Sequence, residues 1–145
     1  MAMRSRTPWR FKLRPEQQPS VVPDKRGGML VPTPMLVAKE LRTVKAGRLI
    51  TAAQLRDRLA RKAGADFTCP MTTGIFLNII AGATEEAIAE GRRVVAPYWR
   101  VVDDRGGLPP KFPPGQARQA AHLRNEGHDV RAGRVKDVEG VLVRR

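Results

Sequence analysis

The 145-residue chain has few of the residues that cross-link or anchor small proteins. Its one cysteine, Cys69, cannot form an internal disulfide, and with only two histidines it cannot complete a structural zinc site. Aromatic residues make up 5% of the chain, so the core must be mainly aliphatic. The longest apolar run, residues 71–83, is too short to span a bilayer and contains Asn78. We therefore expect an intracellular protein of one domain, without a metal, a cofactor or a membrane partner.

Acidic residues are scarce relative to basic ones. The chain holds 14 Asp and Glu against 27 Lys and Arg, which gives a formal net charge of +13. This excess favours an anionic partner, and nucleic acid is the first candidate. The N-terminal third is the most basic part, and its prolines interrupt any periodicity. We predict an extended basic N-terminal arm over residues 1–30, which Trp9 and Phe11 are suited to pin to a domain over residues 31–145.

Capping residues, apolar spacing and glycine stops predict four helices. The predicted helices start at Thr33, Thr51, Pro70 and Gln116, and they end near Val44, Gly64, Gly91 and Asn125. Short extended segments are predicted at residues 49–50, 94–95 and 101–102, followed by a hairpin within residues 129–145. This pattern indicates an α/β fold. The second and third helices, joined by a short connector in a basic protein, suggest a helix-turn-helix that presents the third helix to DNA.

Three blocks of the sequence resemble the alkylguanine-DNA alkyltransferases, also called methylated-DNA-protein cysteine methyltransferases. Residues 97–102, Pro-Tyr-Trp-Arg-Val-Val, resemble the family's Pro-Cys-His-Arg-Val-Val motif. Residues 123–128 resemble the later block that carries a Glu-Gly pair, and residues 47–51 resemble the start of the family's helix-turn-helix. The resemblance covers about residues 44–130. It implies a single winged-helix-like helix-turn-helix domain of the alkyltransferase C-terminal type.

The chain departs from this family at the reacting residues. In the family, a cysteine thiolate accepts the alkyl group, and a histidine and a glutamate activate it. Tyr98 stands at the cysteine position and Trp99 at the histidine position, whereas Glu126 is retained. A phenol with a pKa near 10 is a poor acceptor at neutral pH. The resemblance therefore implies a non-catalytic, alkyltransferase-like DNA-binding protein that senses alkylated or damaged bases in DNA repair.

The resemblance and the charge pattern together define the candidate site. Its base pocket would consist of Tyr98, Trp99, Arg100 and Glu126. Its DNA contacts, mainly to phosphates, would be Arg48, Thr51, Arg56, Arg58, Arg61, Lys62, Met71, Thr72 and Thr73. Ala52 replaces the tyrosine that pushes the target base out of the duplex, and Met71 replaces the arginine that fills the gap, which weakens the case for base flipping. We expect a monomer in the cytoplasm, associated with the nucleoid if the protein is bacterial.

Three alternatives stay open at this point. Cys69 precedes a predicted helix start, where the helix dipole lowers a thiol pKa, so a cysteine-dependent alkyltransferase with a rearranged site is one of them. The competing interpretation of Cys69 is a small buried hydrophobic residue. The aromatic pair Tyr98 and Trp99 either stacks on a base or closes the pocket as packed ring surface. The charge is also typical of a basic protein-interaction module with an acidic partner.

Overall fold

The computed structural model describes residues 7–144, so the first six residues of the predicted arm and the final arginine lie outside the described part. Its four helices are α1 (Pro34–Leu41), α2 (Ala52–Ala63), α3 (Pro70–Ala89) and α4 (Gln116–Asn125). Its strands are β1 (Ser20–Asp24), β2 (Gly27–Val31), β3 (Ile50–Thr51), β4 (Phe67–Thr68), β5 (Val101–Val102), β6 (Val130–Arg131) and β7 (Arg134–Val135). Short 3-10 helices cover Trp9–Lys12, Tyr98–Arg100 and Val138–Gly140. Within residues 7–144, no helix combines the length and apolarity that crossing a membrane requires.

The helix starts follow the predicted capping pattern. The Thr33 hydroxyl accepts the Leu36 N–H at 3.1 Å at the start of α1. At the start of α2, Thr51 and Gln54 form a capping box in which each side chain accepts the other residue's backbone N–H at 3.0 Å. Helix α1 ends at Leu41, three residues before the predicted end, because the Thr43 hydroxyl donates to the Glu40 carbonyl at 2.6 Å and the chain turns there.

The strands form three small sheets. Strand β2 lies between β1, to which it is antiparallel, and β4, to which it is parallel. Strands β3 and β5 pair in parallel, and β6 and β7 form the hairpin predicted near the end of the chain. Residues 94–95 are not a strand, which corrects the prediction. Instead, the backbone N–H and carbonyl of Ala96 bond the Thr84 hydroxyl of α3, and Arg42 binds the Val95 carbonyl.

The core is mainly aliphatic, as the composition predicts. Helix α3 is its central element, and Leu77, Ile80, Ala81 and Ala83 on that helix are all buried. Helix α1 packs on α3 with its own buried aliphatic side chains. Tyr98 is the one aromatic side chain among the largest fully buried residues of the described part. The core therefore surrounds Tyr98.

The described part of the N-terminal segment differs from the predicted extended arm. Trp9 packs its ring over Gly82 of α3, where a Cβ atom would overlap the ring, and the N–H groups of Trp9 and Arg10 donate to the Glu86 carboxylate at 2.7 and 3.1 Å. Phe11, which was expected to help pin the segment, is 61% exposed. The chain then forms the β1–β2 hairpin, because the apolar residues of β2 find a partner strand in β4. Strand β2 runs across the boundary predicted at residue 30.

Candidate nucleic-acid interface

A cavity of about 410 Å³ opens beside the N-terminal half of α3. Its other walls come from the start of α2, from β5 and from the loop at residues 109–112. The volume lies within the range of small-molecule sites, and apolar side chains predominate in such sites. The residues that line the cavity are Ala52, Pro70, Met71, Gly74, Ile75, Leu77, Asn78, Val101, Val102, Asp103, Pro109, Lys111 and Phe112.

Two exposed apolar side chains stand on α3 at the rim of this cavity. Met71 is 74% exposed and Ile75, one helical turn later, is 49% exposed. Gly74 lies between them, and a Cβ atom there would meet no other atom within 4 Å, so the glycine leaves open space at the rim. Scattered exposed apolar residues are ordinary, but a pair beside an apolar cavity indicates a binding surface.

The two threonines after Met71 turn inward instead of outward. The Thr72 and Thr73 hydroxyls donate to the Cys69 carbonyl at 3.4 and 2.8 Å, and Thr73 is buried. Both side chains therefore close the first turn of α3. In this conformation the hydroxyl of Thr73 is not accessible to a nucleic acid.

Cys69 occupies the N-cap position of α3 and is half-buried. Burial raises the pKa of its thiol, but hydrogen bonds from Thr72 and the charge of Arg26 more than offset this, so the pKa lies below its usual value. The cavity is lined by Pro70 and Met71, which follow Cys69, and not by Cys69 itself.

Tyr98 lies in a buried polar cluster. Its side chain has no exposed surface, and its hydroxyl donates to Glu85 Oε2 at 2.6 Å. The same carboxylate bonds Arg118 Nε at 2.9 Å and His122 Nε2 at 2.7 Å. Burial and the neighbouring Glu85 anion raise the pKa of Tyr98 far above its usual value. The phenol is therefore neutral at any physiological pH.

Trp99 stacks on His122 with ring centroids 4.0 Å apart and an interplanar angle of 13°. Next to it, Arg100 forms a bidentate pair with Glu126, with Nε–Oε1 at 3.0 Å and Nη2–Oε2 at 2.5 Å. A third Arg100 nitrogen, Nη1, donates to the Val44 carbonyl at 2.5 Å. Burial raises the pKa of Glu126, but the hydrogen bonds from Arg100 outweigh it, so the pKa lies below its usual range. Glu126 thus holds the Arg100 guanidinium in place.

The four residues of the predicted base pocket lie together but behind the cavity wall. Phe112 lines the cavity, and its ring meets the edge of Tyr98 with centroids 5.5 Å apart. None of Tyr98, Trp99, Arg100 and Glu126 belongs to the cavity lining. Tyr98 therefore supports Phe112 from behind the cavity wall.

Most of the predicted phosphate-binding cations on α2 are engaged within the protein. Lys62 Nζ lies 2.6 Å and Arg58 Nη1 3.8 Å from the carboxylate of Glu40, a buried residue of α1. Arg61 pairs with Asp57 on the same helix at 2.8 Å. Arg58, Arg61 and Lys62 line one groove beside Glu40. They therefore lie together on α2, but each is paired with a carboxylate of the protein.

Two of the predicted contacts, Arg48 and Arg58, also hold the segment at residues 140–144. Arg48 donates to the carbonyls of Gly140 and Leu142, and Arg58 donates to the carbonyl of Arg144. The backbone of this segment also pairs with Leu49, whose N–H donates to the Val141 carbonyl at 2.8 Å. Thr51 is buried and caps α2. Arg48 and Thr51 therefore have structural roles in this conformation.

The cations that surround the cavity are mostly ones that sequence reasoning did not select. Arg56, which was predicted, lies in a groove with Arg105 next to the cavity, and Lys111 lines the cavity itself. Within residues 7–144, the side chains of these three residues make no hydrogen bond or ion pair. The sequence feature that could have identified Lys111 is its position in the proline-rich loop that follows the Pro-Tyr-Trp-Arg motif.

The fold is similar to that of a solved structure, S. pombe Atl1 in complex with damaged DNA containing O6-carboxymethylguanine. The TM-score is 0.51 at 18% sequence identity, and the match covers 77% of this chain and 94% of that chain. No family model matches this chain, and no curated protein matches it by sequence. The chain therefore has a mixed α/β fold of the Atl1 kind. Among residues 7–144, no group of His, Cys, Asp and Glu side chains is placed to hold a metal ion.

Proposed function

We propose that this protein is a non-catalytic, alkyltransferase-like DNA-binding protein that acts as a monomer and recognises alkylated or damaged bases. The observation that carries the proposal is the apolar cavity at the start of α3, with exposed Met71 at its rim, in a fold similar to that of Atl1. A flat, unpaired base could enter such a cavity, because its walls are largely apolar and its mouth faces solvent.

The proposed mode of DNA binding uses α2 and α3 as a helix-turn-helix, with the start of α3 directed into a groove. Arg56, Arg105 and Lys111 lie around the cavity and have no competing partner in the described part of the chain, so they are available for phosphates. The positive end of the α3 dipole adds to their field. Met71 would insert between base pairs in the way that minor-groove proteins use apolar side chains.

The chemistry of position 98 supports the non-catalytic part of the proposal. An acceptor must be a nucleophile in contact with the alkyl carbon. Tyr98 is a neutral phenol whose hydroxyl is bonded to Glu85, and Phe112 separates it from the cavity. The lowered pKa of Cys69 favours, as a second candidate, a transferase that uses this thiol. Its position outside the cavity lining argues against that function.

The test compares labelled duplexes with and without an O6-alkylguanine at two salt concentrations. We expect tighter binding of the alkylated duplex, and an affinity for both duplexes that falls by about 10³ between 50 and 200 mM salt if six or more phosphates are contacted. Met71→Ala should reduce the preference for the alkylated duplex by about tenfold, or roughly 1.4 kcal/mol. The intact mass of the protein should stay unchanged after incubation with the alkylated duplex.

Val94→Ala is the matched control, since Val94 is also an exposed apolar residue but follows the far end of α3. It should bind both duplexes as the wild type does. Equal affinity for the two duplexes would exclude lesion recognition and leave general DNA binding. An alkyl adduct on Cys69 would establish the transferase instead.

A further inference from the structure

The β1–β2 hairpin carries two exposed basic residues at its tip. Asp24 pairs with Gly27 across the hairpin, so Lys25 and Arg26 form the two-residue loop between the strands. Arg26 Nε bonds Asp24 Oδ1 at 3.1 Å, but its terminal nitrogens have no hydrogen-bond acceptor among residues 7–144. Lys25 makes no ion pair in the described part of the chain. The tip therefore presents cationic nitrogen atoms to solvent.

The hairpin is held in a fixed position relative to the start of α3. Strand β2 pairs with β4, which leads directly into α3, and the Cys69 N–H donates to the Leu30 carbonyl at 2.9 Å. At the other end of the pairing, Asp66 accepts the Gly28 N–H at 2.7 Å. Gly27 has φ +117 and lies against Asp66, where a Cβ atom would overlap the carboxylate. The tip is thus attached through a hydrogen-bonded sheet and not through a flexible linker.

Arg26 extends from this tip over β4, the strand that leads into α3. Its guanidinium lies 4.3 Å from the centre of the Phe67 ring on β4. Its charge also acts on the Cys69 thiol, the residue that immediately precedes the cavity wall at Pro70 and Met71. Arg56, Arg105 and Lys111 lie around the cavity itself. The hairpin therefore adds positive charge next to the start of α3.

We infer that the β1–β2 hairpin is a second DNA-binding element, in which Lys25 and Arg26 contact the phosphate backbone of duplex DNA beside the segment that α3 engages. The inference rests on the proposed function and extends it from α2 and α3 to a hairpin that precedes them in the chain. Phosphate contacts position a protein on DNA without reading sequence. The hairpin should thus contribute affinity and salt dependence, and not the preference for a damaged base.

The experiment measures the salt dependence of binding to an unmodified duplex for the wild type and for the double variant Lys25→Gln/Arg26→Gln. The slope of log affinity against log salt should become shallower by about 1.8, because each lost phosphate contact contributes about 0.9. Between 50 and 200 mM salt, the variant should therefore lose about tenfold less affinity than the wild type. Its preference for the alkylated duplex should not change.

The matched control is Arg92→Gln/Arg93→Gln, which removes the same charge from another adjacent basic pair. Arg92 also bonds an acidic residue two positions earlier, Glu90, at 2.6 Å. This pair follows the far end of α3, which spans about 30 Å. The control should leave the slope unchanged. An unchanged slope in the hairpin variant, or an equal change in both variants, would overturn the inference.

Thermal unfolding of each variant shows whether the hairpin still folds. If the double variant is destabilised, Lys25→Gln alone replaces it, since Lys25 has no partner in the described residues, and the expected change in slope is then about 0.9. If the wild type prefers the alkylated duplex and the hairpin variants show the same salt slope as the wild type, the hairpin inference fails and the proposed function stands. If the wild type binds no duplex, both fail.

Discussion

At the scale of single residues, the hydroxyl of Tyr98 is engaged by the Glu85 carboxylate. Three donors, from Tyr98, Arg118 and His122, converge on that one carboxylate. A half-buried carboxylate with several hydrogen bonds is costly to leave without its partners. The chemistry at this position is therefore that of a structural cluster that joins α3 to α4.

Replacing Tyr98 with phenylalanine tests this structural role. Tyr98→Phe keeps the ring contacts with Trp99 and Phe112 and removes one hydrogen bond to Glu85. We expect the free energy of unfolding to fall by about 1–3 kcal/mol, because the bond to a charged group is lost. Urea denaturation measures this change. A variant as stable as the wild type, or one that loses DNA binding without losing stability, would contradict the structural role.

Individual side-chain directions were the part of the site that the sequence could not predict. The spacing of Arg58 and Lys62 on α2 indicated a solvent-exposed cationic surface, but their partner Glu40 lies on α1, about 20 residues earlier in the chain. The motif around Tyr98 predicted a base pocket of Tyr98, Trp99, Arg100 and Glu126, and these residues lie together in a cluster. It did not reveal that Phe112 would separate this cluster from the cavity.

At the scale of elements, α2 is fixed at its start by Thr51. This residue was predicted to contact DNA, whereas the structure uses its hydroxyl and its N–H in the capping box with Gln54. The Gln54 side chain also donates to the Val143 carbonyl at 3.0 Å. The start of α2 thus connects the helix to the segment at residues 140–144.

Thr51→Ala should destabilise the protein without changing how it binds DNA. Loss of the cap should lower the free energy of unfolding by about 1 kcal/mol, within a range of 0.5–2 kcal/mol. Thr51→Ser, which keeps the capping hydroxyl, is the control and should retain most of the stability. Denaturation and duplex titration on the same samples separate the two roles. Weaker duplex binding by Thr51→Ala at full stability and unchanged salt slope would show that the Thr51 hydroxyl contacts DNA after all.

The helices were predictable because their signals are local. A few neighbouring residues are enough to predict each helix end. The examples are Thr33 before Pro34, Thr51 with Gln54, and Gly64 in the left-handed region. The pairing of β2 with β4 joins residues almost 40 positions apart, and no local pattern encodes it. The sequence therefore predicted an arm without regular structure, because it does not reveal that β4 is the partner strand of β2.

At the scale of the whole molecule, the excess of positive charge divides into cations that are paired within the protein and cations that are not. Part of it is neutralised by buried or half-buried carboxylates at Glu40, Glu85 and Glu126. These pairs bind α1, α3 and the end of α4 to neighbouring elements. The cations that remain unpaired around the cavity are the ones available to an external anion.

Acid should unfold the protein through two of these carboxylates. Burial raises the pKa values of Glu85 and Glu126, but hydrogen bonds from their partners lower both to below the usual value. The unfolded chain then binds more protons than the folded protein in acid, so stability rises with pH. The stability that these two carboxylates contribute should be fully present above their unfolded pKa of roughly 4.3. It should decline as the pH falls through their lowered pKa values in the folded protein.

The measurement is urea unfolding between neutral pH and about pH 3, compared with Glu126→Gln. The variant should be less stable than the wild type at neutral pH, because Arg100 loses its charged partner. The difference should shrink in acid, where Glu126 becomes protonated in the wild type. A difference that stays constant over this range would show that the titration of Glu126 does not contribute.

The attachment of residues 140–144 to the start of α2 has a consequence for how the molecule fluctuates. Leu49 and Val143 share a backbone hydrogen bond, while Arg48, Gln54 and Arg58 hold neighbouring carbonyls. The first turn of α2 therefore cannot fray by itself, since doing so would release a segment more than 80 residues away. Both should open and close together as one cooperative unit in the native ensemble.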